Sequence, residues 1–104
     1  MTTWHVYILE CGDGSYYTGI ALDVKARFEQ HSSGKGARYT RGRGPLTLRG
    51  KTRCANQGDA LRVEHALKQL SRLEKHRILQ KPHRLRAFAR KHLRVSTEEP
   101  KRKR

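Results

Sequence analysis

Hydrophobic and polar positions change rhythm along this chain, and each change marks an element. Trp4, Val6 and Ile8 alternate with His5, Tyr7 and Leu9, the period of two expected of a strand with unlike faces. Cys11 to Ser15 holds two glycines and an aspartate, a turn by composition. Tyr16 to Ile20 returns as a second strand, so a hairpin brings Tyr7 and Tyr17 onto neighbouring strands in a register the pattern leaves open. Asp23 stands where it can cap a helix over Val24 to His31, with Val24 and Phe28 on one face and Arg27 and His31 neighbours one turn apart. Leu46 and Leu48 alternate with Thr47 and Arg49, a third strand over Pro45 to Thr52. Asn56 to Asp59 reads as a turn, with Asp59 as the expected cap of the next helix. That helix has the clearest stripe: Ala60, Val63, Leu67 and Leu70. Ser71 and Glu74 then match a capping box, so a new helix begins near Arg72 and stops by Pro82. Residues 83–94 predict a last helix with Leu85, Phe88, Ala89 and His92 along one side.

Composition bounds this to one domain of 104 residues with 35% hydrophobic positions, enough for a modest core. Charge adds more: 24 Lys and Arg against 9 acids give a net +15. Such an excess repels itself unless it meets an anion, and it is the electrostatic footprint of a nucleic-acid binder. The excess is uneven, because residues 81–104 hold ten Lys or Arg against two Glu. Residues 95–104 have no core-forming pattern and end in four consecutive cations, so they are expected to be a disordered basic tail. The expected organisation is a folded unit over 1–80, a basic helix over 81–94 and that tail. Ser32 to Pro45 forms a basic loop in which Lys35, Arg38, Arg41 and Arg43 are interleaved with glycines around Tyr39. Its amides and cations suit phosphate, and Tyr39 can stack or hydrogen-bond; it holds no Walker-type phosphate loop. Cys11 and Cys54 lack metal-site spacing and are too few for a secreted disulfide framework. No signal peptide is evident and the longest apolar run is far too short to span a bilayer, so a cytoplasmic protein with no membrane partner is expected.

The order strand, strand, helix, basic loop, strand, helix, helix, with its tyrosine spacing, resembles the GIY-YIG nuclease superfamily, and within it the small stand-alone bacterial members. The half-motifs read Val6-Tyr7-Ile8 and Tyr17-Thr18-Gly19; Arg27, His31 and Glu64 match the arginine, histidine and acid on the helices, and a GKGARYTRGRGPL loop joins them. The resemblance covers residues 4 to about 80. It implies an α/β chain of the α+β type, a small three-stranded antiparallel sheet flanked by helices. It implies a nuclease that binds DNA and hydrolyses phosphodiesters with one Mg²⁺ or Mn²⁺, in DNA repair or processing.

In that reading Glu64 holds the metal, and Tyr17 is the base toward water or relays its proton. Tyr7 positions water or phosphate and Arg27 grips the phosphate. His31 either activates Tyr17 or protonates the leaving oxygen, and Gly19 is structural, allowing close approach of backbone or helix. The residues alone also admit plainer roles: packed strand tyrosines, a solvated Arg27, and Glu64 in an i, i+4 pair with Lys68. The chain departs from the family at Val6 and Thr18. Its only asparagine, Asn56, precedes Glu64, whereas many members carry one after the acid-bearing helix. That departure favours the alternative of a non-catalytic nucleic-acid-binding module on the same fold. RNA stands beside DNA as a ligand, and targeting falls to the basic loop, the C-terminal helix or a protein partner.

Overall fold

A computed structural model of the chain describes residues 3–98. The elements are β1 (Trp4–Glu10), β2 (Tyr16–Ala21), α1 (Val24–Ser32), a short 3₁₀ turn (Arg38–Thr40), β3 (Thr47–Cys54), α2 (Gln57–Lys68), α3 (Arg72–Leu79) and α4 (Pro82–Glu98). The three strands form one antiparallel sheet in the order β2-β1-β3. The sheet and helices make the α+β arrangement expected from the sequence.

The central strand is buried on both faces, which the alternation alone did not reveal. Val6 and Ile8 face α2 and α4 and join Ala60, Val63, Leu67, Leu85 and Ala89 in the main core. Tyr7 and Leu9 point the other way and pack with Ala21 and Val24, closed over by Phe28 and Leu46. Burial of this kind contributes roughly 1.5–3 kcal/mol per large side chain, so the second, smaller cluster fixes α1 against the sheet as well as holding Tyr7. Gly50 admits the opposite layer to β3: a Cβ there would sit 3.0 Å from a Leu79 methyl and 3.3 Å from one of Leu85.

Helix ends follow local chemistry. Asp23 caps α1 as expected, accepting from the Ala26 amide. The cap of α2 is Asn56, not Asp59: its side chain accepts from the Asp59 amide at 2.8 Å, and Asp59 lies inside the first turn, where its charge suits the helix dipole. The α3 capping box is complete, with Glu74 N–H donating to Ser71 Oγ at 3.1 Å and Ser71 N–H to Glu74 Oε1 at 2.8 Å. Helix α3 is short and buries no residue fully, so its ends matter. Ser71→Ala is expected to lower stability by ~1 kcal/mol, read in a thermal melt as a loss of roughly 4–8 °C. A melt unchanged within about 1 °C would show that α3 is held by its docking alone. Helix α4 runs to Glu98, four residues into the stretch expected to be disordered. A helix already fixed by Leu85 and Ala89 extends one residue at a time without a new nucleus. Residues 99–104 of the expected tail lie outside the described residues.

Candidate active site

The register of the hairpin decides what the tyrosines can do. Tyr7 lies opposite Gly19, and Tyr17 opposite Leu9, so the two tyrosines share a face as diagonal neighbours with ring centroids 6.3 Å apart. Tyr7 leans across Gly19 toward the β2 edge. A Cβ on residue 19 would lie 2.6 Å from Tyr7 Oη, 2.8 Å from its Cζ and 3.0 Å from Tyr17 Cε2. The group that approaches Gly19 is thus the Tyr7 phenol, a side chain and not the backbone or helix expected.

Helix α1 delivers the next two groups from above that face. His31 is 1% exposed, with Nε2 2.8 Å from Tyr7 Oη and Nδ1 2.9 Å from Thr40 Oγ1. The hydrogen of the Thr40 hydroxyl goes to the Ala37 carbonyl at 2.9 Å. Its oxygen therefore accepts from Nδ1–H, which leaves the Nε2 lone pair for the Tyr7 phenol proton. The Ala37 N–H points at Nδ1 from 3.3 Å, a contact that would suit the opposite tautomer and is the longer and weaker of the two. Gly36 closes the pocket; a Cβ there would collide with the imidazole. Burial, and then the Arg27 charge, hold His31 below its ordinary pKa, so it is a neutral acceptor near pH 7. Burial, then the neighbouring Tyr17, push Tyr7 up to about 12, against the opposing pull of Arg27.

His31 is thus joined to Tyr7 and not to Tyr17, the partner expected from the sequence. Tyr17 is half-buried, its ring edge-on to His31 with centroids 5.1 Å apart. Arg27 is partly exposed, donates to Gln30 Oε1 at 2.7 Å, and acts on both Tyr7 and His31 through its charge. Glu64 comes from α2, on the far side of the sheet, yet its charge reaches Tyr7. Its carboxylate is mostly covered, at 17% exposed, and lies 3.2 Å from Lys68 Nζ. Among the described residues no three His, Cys, Asp or Glu side chains gather to cage a metal. A lone carboxylate suits a hydrated Mg²⁺ or Mn²⁺, which keeps several waters, and does not suit zinc.

The basic loop divides. Tyr39 reaches the site, its ring centroid 5.8 Å from that of Tyr17. Arg43 lies over the Tyr39 ring at 4.3 Å and pairs with Asp13 at 2.7 Å, so its charge is already engaged in holding the loop. Lys35, Arg38 and Arg41 are exposed, Arg41 donating to the Gly36 carbonyl at 3.5 Å. Thr40 and Gly36, which orient His31, were not singled out in the sequence; a threonine and a glycine in a basic loop carry no distinguishing signal there.

Comparison with known proteins identifies the family and the fold. Residues 3–77 match the model of the GIY-YIG catalytic domain. A UPF0213 protein of Halobacterium salinarum is 51% identical over 71 residues, 68% of this chain and 92% of that protein. UPF0213 protein YhbQ of Escherichia coli is 44% identical over 79 residues, 76% of this chain and 79% of that one. The solution NMR structure of UPF0213 protein BH0048 from Bacillus halodurans matches with a TM-score of 0.50 at 44% identity, covering 80% of this chain and 92% of that one. The chain belongs to the GIY-YIG family, alongside the small UPF0213 proteins of bacteria and archaea.

Proposed function

We propose that this protein is a metal-dependent nuclease that binds nucleic acid, DNA first, and hydrolyses its phosphodiester bonds. The observation that carries this is the buried Tyr7 Oη to His31 Nε2 bond of 2.8 Å beside a partly exposed Tyr17, Arg27 and Glu64. A phenol is a poor base because it must first lose its own proton. Tyr7 has a partner able to take it, whereas Tyr17 has no such hydrogen bond among the described residues.

The proton path follows. Water held by the Tyr17 hydroxyl gives its proton to Tyr7 Oη as Tyr7 passes its own to His31 Nε2; the hydroxide attacks phosphorus, the bond to the leaving sugar oxygen breaks, and that oxygen takes a proton from solvent. His31 carries the positive charge with Nδ1–H still given to Thr40, and returns the proton to solvent afterwards. Arg27 faces the non-bridging phosphate oxygens, where its fork meets developing charge. Glu64 is the residue that would hold Mg²⁺ or Mn²⁺, once Lys68 turns aside. Such an ion supplies Lewis-acid stabilisation of phosphate and leaving oxygen. A part in DNA repair or processing is the biological setting this chemistry suits.

The test is cleavage of labelled single-stranded, duplex and branched DNA at about 0.15 M salt, with Mg²⁺ or Mn²⁺ and with chelator. Metal-dependent cleavage is expected, slowed on the order of tenfold in Tyr17→Phe, which loses one hydrogen bond to water. Chelator-insensitive cleavage, or none on any substrate, would sink the nuclease reading. The second reading, a non-catalytic nucleic-acid-binding module, is favoured by one observation: the Glu64 carboxylate is already neutralised by Lys68 at 3.2 Å. Tight binding without cleavage is its signature.

A further inference from the structure

The open edge of the sheet carries a second cationic feature, away from the tyrosines. Strand β3 is an edge strand, and α4 packs alongside it on the α2 side of the sheet. Between them run two cavities, of about 550 Å³ and 120 Å³, which share Lys51 and Arg86 in their linings and so form one trough. One wall is β3, with Arg49 at the bulge, then Lys51 and Arg53. The other holds Lys81, Arg86 and Arg90. The floor includes Ala89, Leu93 and Thr52, and neither cavity has an acidic residue in its lining. Arg49 pairs with Glu10 at 3.5 Å; the other five cations are exposed and have no ion pair among the described residues.

We infer that this trough binds the sugar–phosphate backbone of a nucleic-acid strand, beyond the bond at the tyrosines. The spacing suits it. Arg86 and Arg90 are one turn apart, about 6 Å along α4, and Lys51 and Arg53 about 7 Å along β3, close to the step between successive phosphates. Placement suits it too. Lys51 is the strand partner of Tyr7 on one side as Gly19 is on the other. Two strand spacings, about 10 Å, separate Gly19, over which the Tyr7 phenol leans, from Lys51 on the β3 edge, so a polyanion engaged at the tyrosines can pass over that edge into the trough. A flat anionic membrane cannot follow a concave trough. Cations on an edge strand also keep it from pairing with another copy, but that role asks nothing of Arg86 and Arg90 on α4.

The inference rests on the nucleic-acid part of the proposed function and not on cleavage. The experiment uses Arg86→Gln/Arg90→Gln and, independently, Lys51→Gln/Arg53→Gln, with Arg62→Gln/Arg77→Gln as a control pair that lines neither cavity. Binding of a labelled oligonucleotide is measured across a salt series. Each trough pair is expected to weaken binding on the order of tenfold at physiological salt and to flatten the log–log salt slope by about 1.4–1.8, two phosphate contacts' worth. The control pair is expected to leave the slope within about 0.5. An unchanged slope, or an equal fall in the control pair, overturns the trough. So does weakened binding of a poly-glutamate peptide with nucleic-acid binding intact, or aggregation of the β3 pair with binding unchanged. A flattened slope in a protein that cuts nothing upholds the trough while the nuclease reading fails.

Discussion

Tyr7→Phe is expected to lower cleavage by 10²–10⁴-fold, the range for loss of a positioned proton acceptor. The ring stays, so packing against Leu9 and Val24 is kept. What goes is the hydroxyl 2.8 Å from His31 Nε2. Water then has no acceptor leading to the imidazole, and the Nε2 lone pair is left buried and unpartnered, a loss of about 1–3 kcal/mol in stability. A merely structural tyrosine would show the second effect without the first, so the pH profile separates them. The relay needs His31 neutral. Its pKa is held below the ordinary His value by burial and by Arg27, so wild-type cleavage should rise with pH through a point below about 6.5. Below that point His31 is already protonated and cannot accept. The residual cleavage of Tyr7→Phe should lack this acid limb, because no proton is routed to His31. Cleavage within about threefold of wild type, or the same acid limb in both proteins, would remove Tyr7 and His31 from the proton path.

Much of the frame was legible in the sequence because it is written in local rules. The stripe Ala60, Val63, Leu67 needs only the helical period, and the Ser71–Glu74 box needs only its own four residues. What stayed hidden depends on partners far along the chain. The hairpin turn fixes the register, and the register sets Tyr7 against Gly19 and not against Tyr17. Asn56 and Asp59 are equally good caps by type; where β3 ends, at Cys54, makes Asn56 the one with extended backbone. From the sequence, His31 is expected to activate Tyr17 or to protonate the leaving oxygen. The loop through Gly36 and Thr40 folds back over it and turns it into a buried, neutral acceptor for Tyr7. In the same way, the cavity-lining cations of β3 and α4 are 33 or more residues apart in sequence and become one trough only through packing. Residue types at the candidate site could be recognised in advance; the pairing of donors with acceptors could not.

Gly19→Ala should be the most informative single methyl group added to this protein. The new Cβ would meet Tyr7 Oη at 2.6 Å and Cζ at 2.8 Å, inside contact distance, so something has to move. The β2 backbone is held by its ladder to β1, and the Tyr7 ring is packed beneath α1. The hydroxyl end is the softest part, and it can retreat only by stretching its bond to His31. Overpacking of this kind costs about 1–3 kcal/mol, which lowers the melting temperature without abolishing the fold. The effect on catalysis is larger, because displacing a reacting atom by about 1 Å can cost 10²-fold. The expected outcome is therefore a folded protein that binds oligonucleotide as wild type does, since the trough and the basic loop are untouched, and cleaves on the order of 100-fold more slowly. Serine at the same position should behave no better, because the clash is with any Cβ. If Gly19→Ala cleaved at the wild-type rate, the Tyr7 hydroxyl would not need its observed position, and the relay through His31 would fail with it. If it lost binding and cleavage together, the site at the tyrosines and not the trough would hold most of the nucleic acid. The ratio of the two losses thus says how the chain divides its work between gripping a strand and cutting it.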